Sequence, residues 1–317
     1  MNKYNYRTDI AYDEVAKLNE ELVGVKVNER EYDDIKVVKT KINSKHDKRV
    51  LKKPGVYYTI DFNNLNIHNN DSAEKIIQVL ANILVEILKS KKVLDKNGML
   101  IGLGNINVTP DSVGPYTLDN VIVTRHLFVN DQNYSGYSNV SGYSPGVMGN
   151  TGIETSDIVN AIYNKVGADF LIVVDALATS SVSRINKTIQ ITDTGISPGS
   201  GVGNKRKEIS KETMGIPVIA VGIPTVVDAK TLTIDLINKA LEFLESNYPN
   251  SESFKKLKEI NNKELIDILD QATQNSLYDM VVTPKEIDEV VEDISKILAA
   301  SIDIAVHKKL RDTYLKA

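Results

Sequence analysis

Two aspartates stand where an open α/β sheet gathers its chemistry. Asp111 lies in the loop "GLGNINVTPDSVGP" (102–115), after a short apolar run. Asp175, in "VDALATSS" (174–181), directly ends the most apolar run of the chain, Phe170 to Val174. In such sheets, ligands bind in the crevice outside the C-terminal ends of the strands. A carboxyl group there is desolvated on one side, which raises its pKa, and a second carboxylate nearby raises one of the two further. Such a pair could share a proton, one member acting as base on water and the other as acid. A plainer reading also fits the spacing. Aspartate is a favoured N-cap, so Asp111 could cap a helix over 112–128 and Asp175 the helix after it.

A third segment at the expected crevice is "TDTGISPGSGVGNKRKE" (192–208). Asp193-Thr194-Gly195 repeats the catalytic tripeptide of pepsin-like and retroviral proteases, but it occurs once, in a chain whose element order does not suit those β-rich enzymes. It reads better as a turn after the strand "TIQIT" (188–192), with Asp193 in a supporting place at the crevice. "GSGVGNKR" (199–206) approaches a phosphate-binding loop. In it, however, Asn204 separates Gly203 from Lys205, and Arg206 stands where a Mg²⁺-binding Ser or Thr is required. Two uses remain for it: a nucleotide- or phosphate-binding regulator, or a cationic loop facing the substrate, with Lys205 and Arg206 paired to an acidic side chain. His46, His68, His126 and His307 are scattered without metal-ligand spacing, and the chain has no cysteine. Ser180 and Ser181 lack the glycine pattern of a nucleophile elbow. Chemistry must come from carboxylates, hydroxyls or a carboxylate-bound metal.

The elements that must position these groups are legible from periodicity. "LVGVKVNER", "YDDIKVVKTKI" and "GVYYTIDF" alternate apolar and polar residues across 22–62, as strands do. After Ser72, the residues Ala73, Ile76, Ile77, Leu80, Ile83, Leu84, Ile87 and Leu88 share one helical face. "NGMLIGLGN", "ADFLIVVDALA" and "IPVIAVGIPTVV" read as buried parallel strands, with helices expected at "SDIVNAIYNKVG" and "TIDLINKALEFLE". Thr283-Pro284-Lys285-Glu286 has the form of a capping box before the apolar series Ile287 to Ile302. The fold expected is α/β: a mostly parallel or mixed central sheet flanked by helices, with an N-terminal strand-rich segment and C-terminal helices over about 250–317. The composition is ordinary for a globular chain of 317 residues: 42% hydrophobic, 25% charged and a net charge of −4. That charge argues against direct nucleic-acid binding. No apolar run reaches the ~18 residues of a membrane span, and the N-terminus has no secretory h-region. The expectation is a soluble intracellular protein.

These segments, taken in order, resemble the germination proteases of endospore-forming bacteria. The blocks that carry the likeness are "YRTDIA", "KKPGVYYT", "GLGNINVTPDSVGP", "VTRHLF", "SPGVMGNTGIETSDI", "VDALA", the stretch "TIQITDTGISPGSGVGNKRKEISKETMGIPVIAVGIPTVVDA", and "MVVTPKEIDEVVED". The resemblance implies an atypical aspartic-type endopeptidase that degrades small acid-soluble spore proteins at germination, working in the cytoplasm of the forespore or spore core. It implies a fold similar to the hydrogenase-maturation endopeptidases, with Asp111 and Asp175 at the family's two essential positions. No cofactor is implied, although the maturation peptidases make a carboxylate-bound metal an alternative. A homo-oligomer, a tetramer in the family, is implied as well. The family trims itself at sites of the form Thr/Ser-Glu/Asp, then an apolar and a small residue. Thr8-Asp9-Ile10-Ala11 fits, with cleavage between Asp9 and Ile10, a propeptide of 1–9 and a single peptidase domain of 10–317.

Overall fold

The alternating N-terminal pattern folds into an antiparallel meander of β1 (Val25–Tyr32), β2 (Ile35–Ile42) and β3 (Gly55–Asp61). The computed structural model describes residues 8–16, 18, 22–129, 134–198, 206–247, 262–273 and 280–315. The further strands are β4 (Gly98–Gly102), β5 (Val140–Tyr143), β6 (Phe170–Thr179), β7 (Thr188–Thr192), β8 (Val218–Asp228) and β9 (Val281–Val282). Among the described residues the meander is one edge of a nine-stranded sheet of order β1-β2-β3-β7-β8-β6-β4-β5, with β9 beside β8. Pairing is parallel for β8-β6, β6-β4 and β4-β5, and antiparallel elsewhere. The sheet is therefore mixed and flanked by helices, as the sequence implies.

Strand periodicity divides the core between two faces. Leu100, Ile172, Val174, Ile189, Ile191 and Val221 point to one face and pack against α2 (Asn70–Ser90) and a C-terminal helix, Ile287–Val306. Met99, Ile101, Leu171, Val173 and Val218 point to the other and pack against Val159 and Tyr163 of the helix Thr155–Val166. Each fully buried Leu or Ile contributes about 1.5–3 kcal/mol. Farther along this second face, Tyr57 of β3 is covered by Ala11 and Val15 of α1 (Ala11–Ala16). Between these two helices the second face bears the in-register row Gln190 of β7, Gly222 of β8 and Asp175 of β6.

Several sequence expectations about ends are corrected. The long helix starts at Asn70, not after Ser72, because the Asn69 side chain accepts from the Asp71 and Ser72 N–H groups. The helix expected over 112–128 is broken. α3 (Val113–Asn120) stops where Val121 turns extended and the Ile122 N–H is taken by the Asp303 carboxylate, and α4 (Arg125–Val129) starts anew. Thr283 caps nothing; its hydroxyl donates to the Thr225 carbonyl, and the last long helix begins at Ile287 without a side-chain cap. Among the described residues no helix is long and apolar enough to cross a membrane.

Candidate active site

Asp111 is carried by a loop that closes over the end of β4. Beyond Gly102 one further backbone bond is made, Leu103 N–H to the Val174 carbonyl at 2.9 Å. The chain then turns at Gly104, whose φ of +115° suits glycine and whose missing Cβ leaves room for the Asp111 carbonyl. The Asn105 N–H donates to both the Asp111 carbonyl (3.1 Å) and its carboxylate Oδ2 (2.8 Å). Thr225 of β8 fixes the 3₁₀ turn Thr109–Asp111 by donating to the Pro110 carbonyl at 2.7 Å. The carboxylate is thus turned back into its own loop, and the helix that follows has no side-chain cap. The capping role open to Asp111 is not what the fold uses.

Asp175 does not end its strand. β6 runs on to Thr179 because β8 continues beside it, while its other neighbour, β4, stops at Gly102 opposite Val174. No helix follows for it to cap; the next element is a 3₁₀ turn, Val182–Arg184. The residue is buried, with Oδ1 accepting from the Ala176 N–H at 3.0 Å. Burial pushes its carboxyl well above the ordinary aspartate value, and the charges of Asp111 and Asp9 push it further. Asp111 is also raised by desolvation, with the Asn105 N–H opposing. The two groups therefore differ: Asp175 favours the protonated form more strongly.

Both carboxyls face a cavity of about 540 Å³, which is also lined by Asp9, Lys52, Gln190 and Arg206. Gly222 is the bare floor between Gln190 and Asp175, since a Cβ there would meet Leu177. Asp193 does not line this cavity. Its carboxylate accepts from the Val56 N–H (2.8 Å) and from Lys91 (2.5 Å), which holds the end of β7 against β3 and the C-terminus of α2, while its neighbours Thr192 and Thr194 face the cavity. Arg206 is half-buried in the lining. Lys205, with the rest of the glycine-rich loop 199–205, lies outside the described residues, as do residues 1–7. Among the described residues, no three His, Cys, Asp or Glu side chains gather as a metal site.

The N-terminal tetrapeptide enters the same cavity. The Asp9 N–H donates to the Ala178 carbonyl (3.0 Å), and the Ala178 N–H donates back to the Asp9 carboxylate (2.9 Å). That N–H lies on the side of β6 that β4 leaves uncovered beyond Gly102. The Asp9 carbonyl accepts from Lys52 Nζ (3.1 Å) and Gln190 Nε2 (2.9 Å), and Gln190 Oε1 accepts from the Ala11 N–H (2.7 Å). Ile10 and Ala11 are fully buried. Arg184 pairs with Asp13 (2.5 Å) and Asp61 (2.6 Å), so α1 is tied to β3 just behind this segment. Lys52 and Gln190 are absent from the sequence-based site. Lys52 carries no signal in the sequence, but Gln190 does: it is a polar residue on the inward face of the buried strand "TIQIT".

Comparison with known proteins finds a peptidase family. Residues 7–264 match the model of a peptidase family described as germination protease. A germination protease from Geobacillus sp. (strain WCH70) is 38% identical over 98% of this chain and 96% of its own length. One from Bacillus pumilus (strain SAFR-032) is 38% identical over 98% and 95%, respectively. Among solved structures, a NiFe hydrogenase maturation protease from Thermococcus kodakarensis KOD1 aligns with 45% of this chain and 80% of its own, at 16% identity and a TM-score of 0.29.

Proposed function

The chain belongs to the germination protease family, and from that premise we propose that it is an aspartic-type endopeptidase made as a zymogen that cleaves its own Asp9–Ile10 bond. Its substrates in trans are small acid-soluble spore proteins, cut after Glu or Asp in sites like Thr/Ser-Glu/Asp-Ile/Leu/Phe-Ala. On this reading residues 1–9 are the propeptide, 10–317 form one peptidase domain, and the enzyme works in the spore core as a homo-oligomer, a tetramer. One observation carries the reading: Asp9 lines the same cavity as Asp111 and Asp175, and its charge acts on Asp175.

The two carboxyls divide the work by environment. Asp175, buried and beside two other carboxylates, holds the shared proton. Asp111, less strongly raised, is the base. It takes a proton from a water as that oxygen attacks the Asp9 carbonyl carbon. The proton on Asp175 then passes to the Ile10 nitrogen as the C–N bond breaks, and the proton gained by Asp111 returns to Asp175. Arg206, which lines the cavity, pairs on this reading with an acidic side chain of a substrate, with Lys205 beside it in sequence. Asp193 supports the site from behind, through its hold on β3 and α2.

The test is N-terminal sequencing after incubation at mildly acidic pH, with a peptide containing Thr-Glu-Ile-Ala as substrate in trans. The wild type is expected to acquire a terminus at Ile10 and to cut the peptide after Glu. Wild-type rates from either Asp111→Asn or Asp175→Asn would end the carboxyl-pair reading. Activity lost with a chelator and restored by a divalent ion would favour a metal-dependent maturation-type peptidase instead.

A further inference from the structure

Gln190 and Lys52 converge on one carbonyl oxygen, that of Asp9. Gln190 is buried and cannot turn, because its Oε1 is occupied by the Ala11 N–H at 2.7 Å. That bond fixes the amide orientation and aims Nε2 at the Asp9 oxygen, 2.9 Å away. The side chain therefore grips the backbone on both sides of the Asp9–Ile10 bond. Lys52 Nζ donates to the same oxygen at 3.1 Å, and also to the Thr8 carbonyl at 3.0 Å. Neither contact reads a side chain, so both are open to any peptide lying along β6 in the same way. Donors held in advance on a carbonyl oxygen stabilise the negative charge that collects there when water adds to the carbon.

We propose that Lys52 and Gln190 are catalytic residues that form the oxyanion-binding pair of this peptidase; the proposal rests on the reading that Asp9–Ile10 is a bond it cleaves. As the water oxygen bonds to the Asp9 carbon, the carbonyl π pair moves onto oxygen, and the two N–H donors stabilise it without giving up their protons. When the C–N bond breaks, that pair re-forms the carbonyl, and Lys52 and Gln190 leave the step unchanged. The proton traffic runs through the two aspartates alone.

The test uses the full chain and three substitutions. Gln190→Glu keeps the acceptor for the Ala11 N–H but replaces the donor with a carboxylate oxygen. Lys52→Met keeps the length of a half-buried side chain and removes the charge, while Lys52→Arg keeps the charge. The rate at which an Ile10 terminus appears is measured in cis, and kcat and KM in trans on the Thr-Glu-Ile-Ala peptide. Gln190→Glu and Lys52→Met are expected to lower the cis rate and kcat by about 10²–10³-fold, the usual cost of one oxyanion donor. KM should change little, and Lys52→Arg should restore most of the rate. A loss confined to KM would mark the two side chains as ground-state anchors and overturn the proposal. So would wild-type kcat in Lys52→Met. Should the wild type produce no cut after Asp9, the self-processing reading itself falls, and this proposal with it.

Discussion

Among the described residues, two regions hold buried carboxyl groups with raised pKa values, and only one of them lines a cavity. In the crevice, Asp175 is raised by burial and then by two other carboxylates, Asp111 and Asp9, and all three line a cavity. Under the C-terminal helix, Asp303 is pushed up to about 7 by burial, with the Ile122 N–H opposing. There the partners are structural ones. Both Asp303 oxygens accept from the Ile122 N–H (3.0 and 3.3 Å). His307, whose own pKa is lowered chiefly by burial, accepts at Nδ1 from the Ser138 N–H and donates from Nε2 to the Ile122 carbonyl. Burial alone shifts a pKa; a like charge at hand and open space beside it make the shift usable.

The largest effect that would break this comparison is on turnover. Asp175→Asn and Asp111→Asn should each cost about 10²–10⁴-fold in kcat, the range of a lost general acid or base, whereas Asp303→Asn should leave kcat at the wild-type level. Peptide hydrolysis by the three purified variants measures this, and an equal loss in Asp303→Asn would erase the distinction.

The next effect is on stability against pH. Asp303 has a folded pKa of about 7 against an ordinary 3.8, so between those values the folded chain binds more protons than the unfolded one. Its contribution is fully present below about pH 4 and is lost as pH rises through about 7. The stability of the wild type relative to Asp303→Asn should therefore decline over that window, by an amount on the order of a few kcal/mol. Urea melts of both proteins at pH 4.5 and 7.5 read the difference, and parallel trends in the two would refute it.

The pH profile of activity sharpens the other half. One carboxyl must be ionised and one protonated, so kcat/KM should be bell-shaped. Its acid limb should lie above the ordinary aspartate value, because Asp111 is raised, and its alkaline limb higher still, because Asp175 is raised further. A profile flat through the acid range would contradict this. The smallest effect concerns Asp9. Asp9→Glu keeps the acidic residue that the cut follows, so the Ile10 terminus should still appear, and N-terminal sequencing that finds none would contradict the stated specificity.

Much of the crevice is legible in the amino-acid sequence. Asp175 stands out because a charge at the end of a long apolar strand run is costly unless it has a use. Asp111 stands out because it follows the neighbouring run in a loop rich in Gly, Pro and Asn. The sheet, α2 and the C-terminal helix follow from periodicity. Local spacing is what misleads. Ser72, Thr283 and the two aspartates all stand where a cap could stand, yet Asn69 caps α2 and Thr283 serves β8. The break after Asn120 depends on Asp303, far along the chain, reaching the Ile122 N–H.

The sequence by itself determined the layers, the two apolar faces of the sheet and the strand that bears Asp175, because hydrophobic periodicity is a local property and burial enforces it. Only the tertiary structure decided which residues meet. β6 outlasts β4, so Asp175 stands mid-strand at an open edge of the ladder, not at a strand end. The end of β4 at Gly102 leaves open the side of β6 on which the Ala178 N–H holds Asp9. Lys52 and Gln190 reach one carbonyl from different strands or loops. Hydrogen bonds between residues more than forty positions apart leave no period in a sequence, since their partners are set by strand order and register, which no local segment encodes.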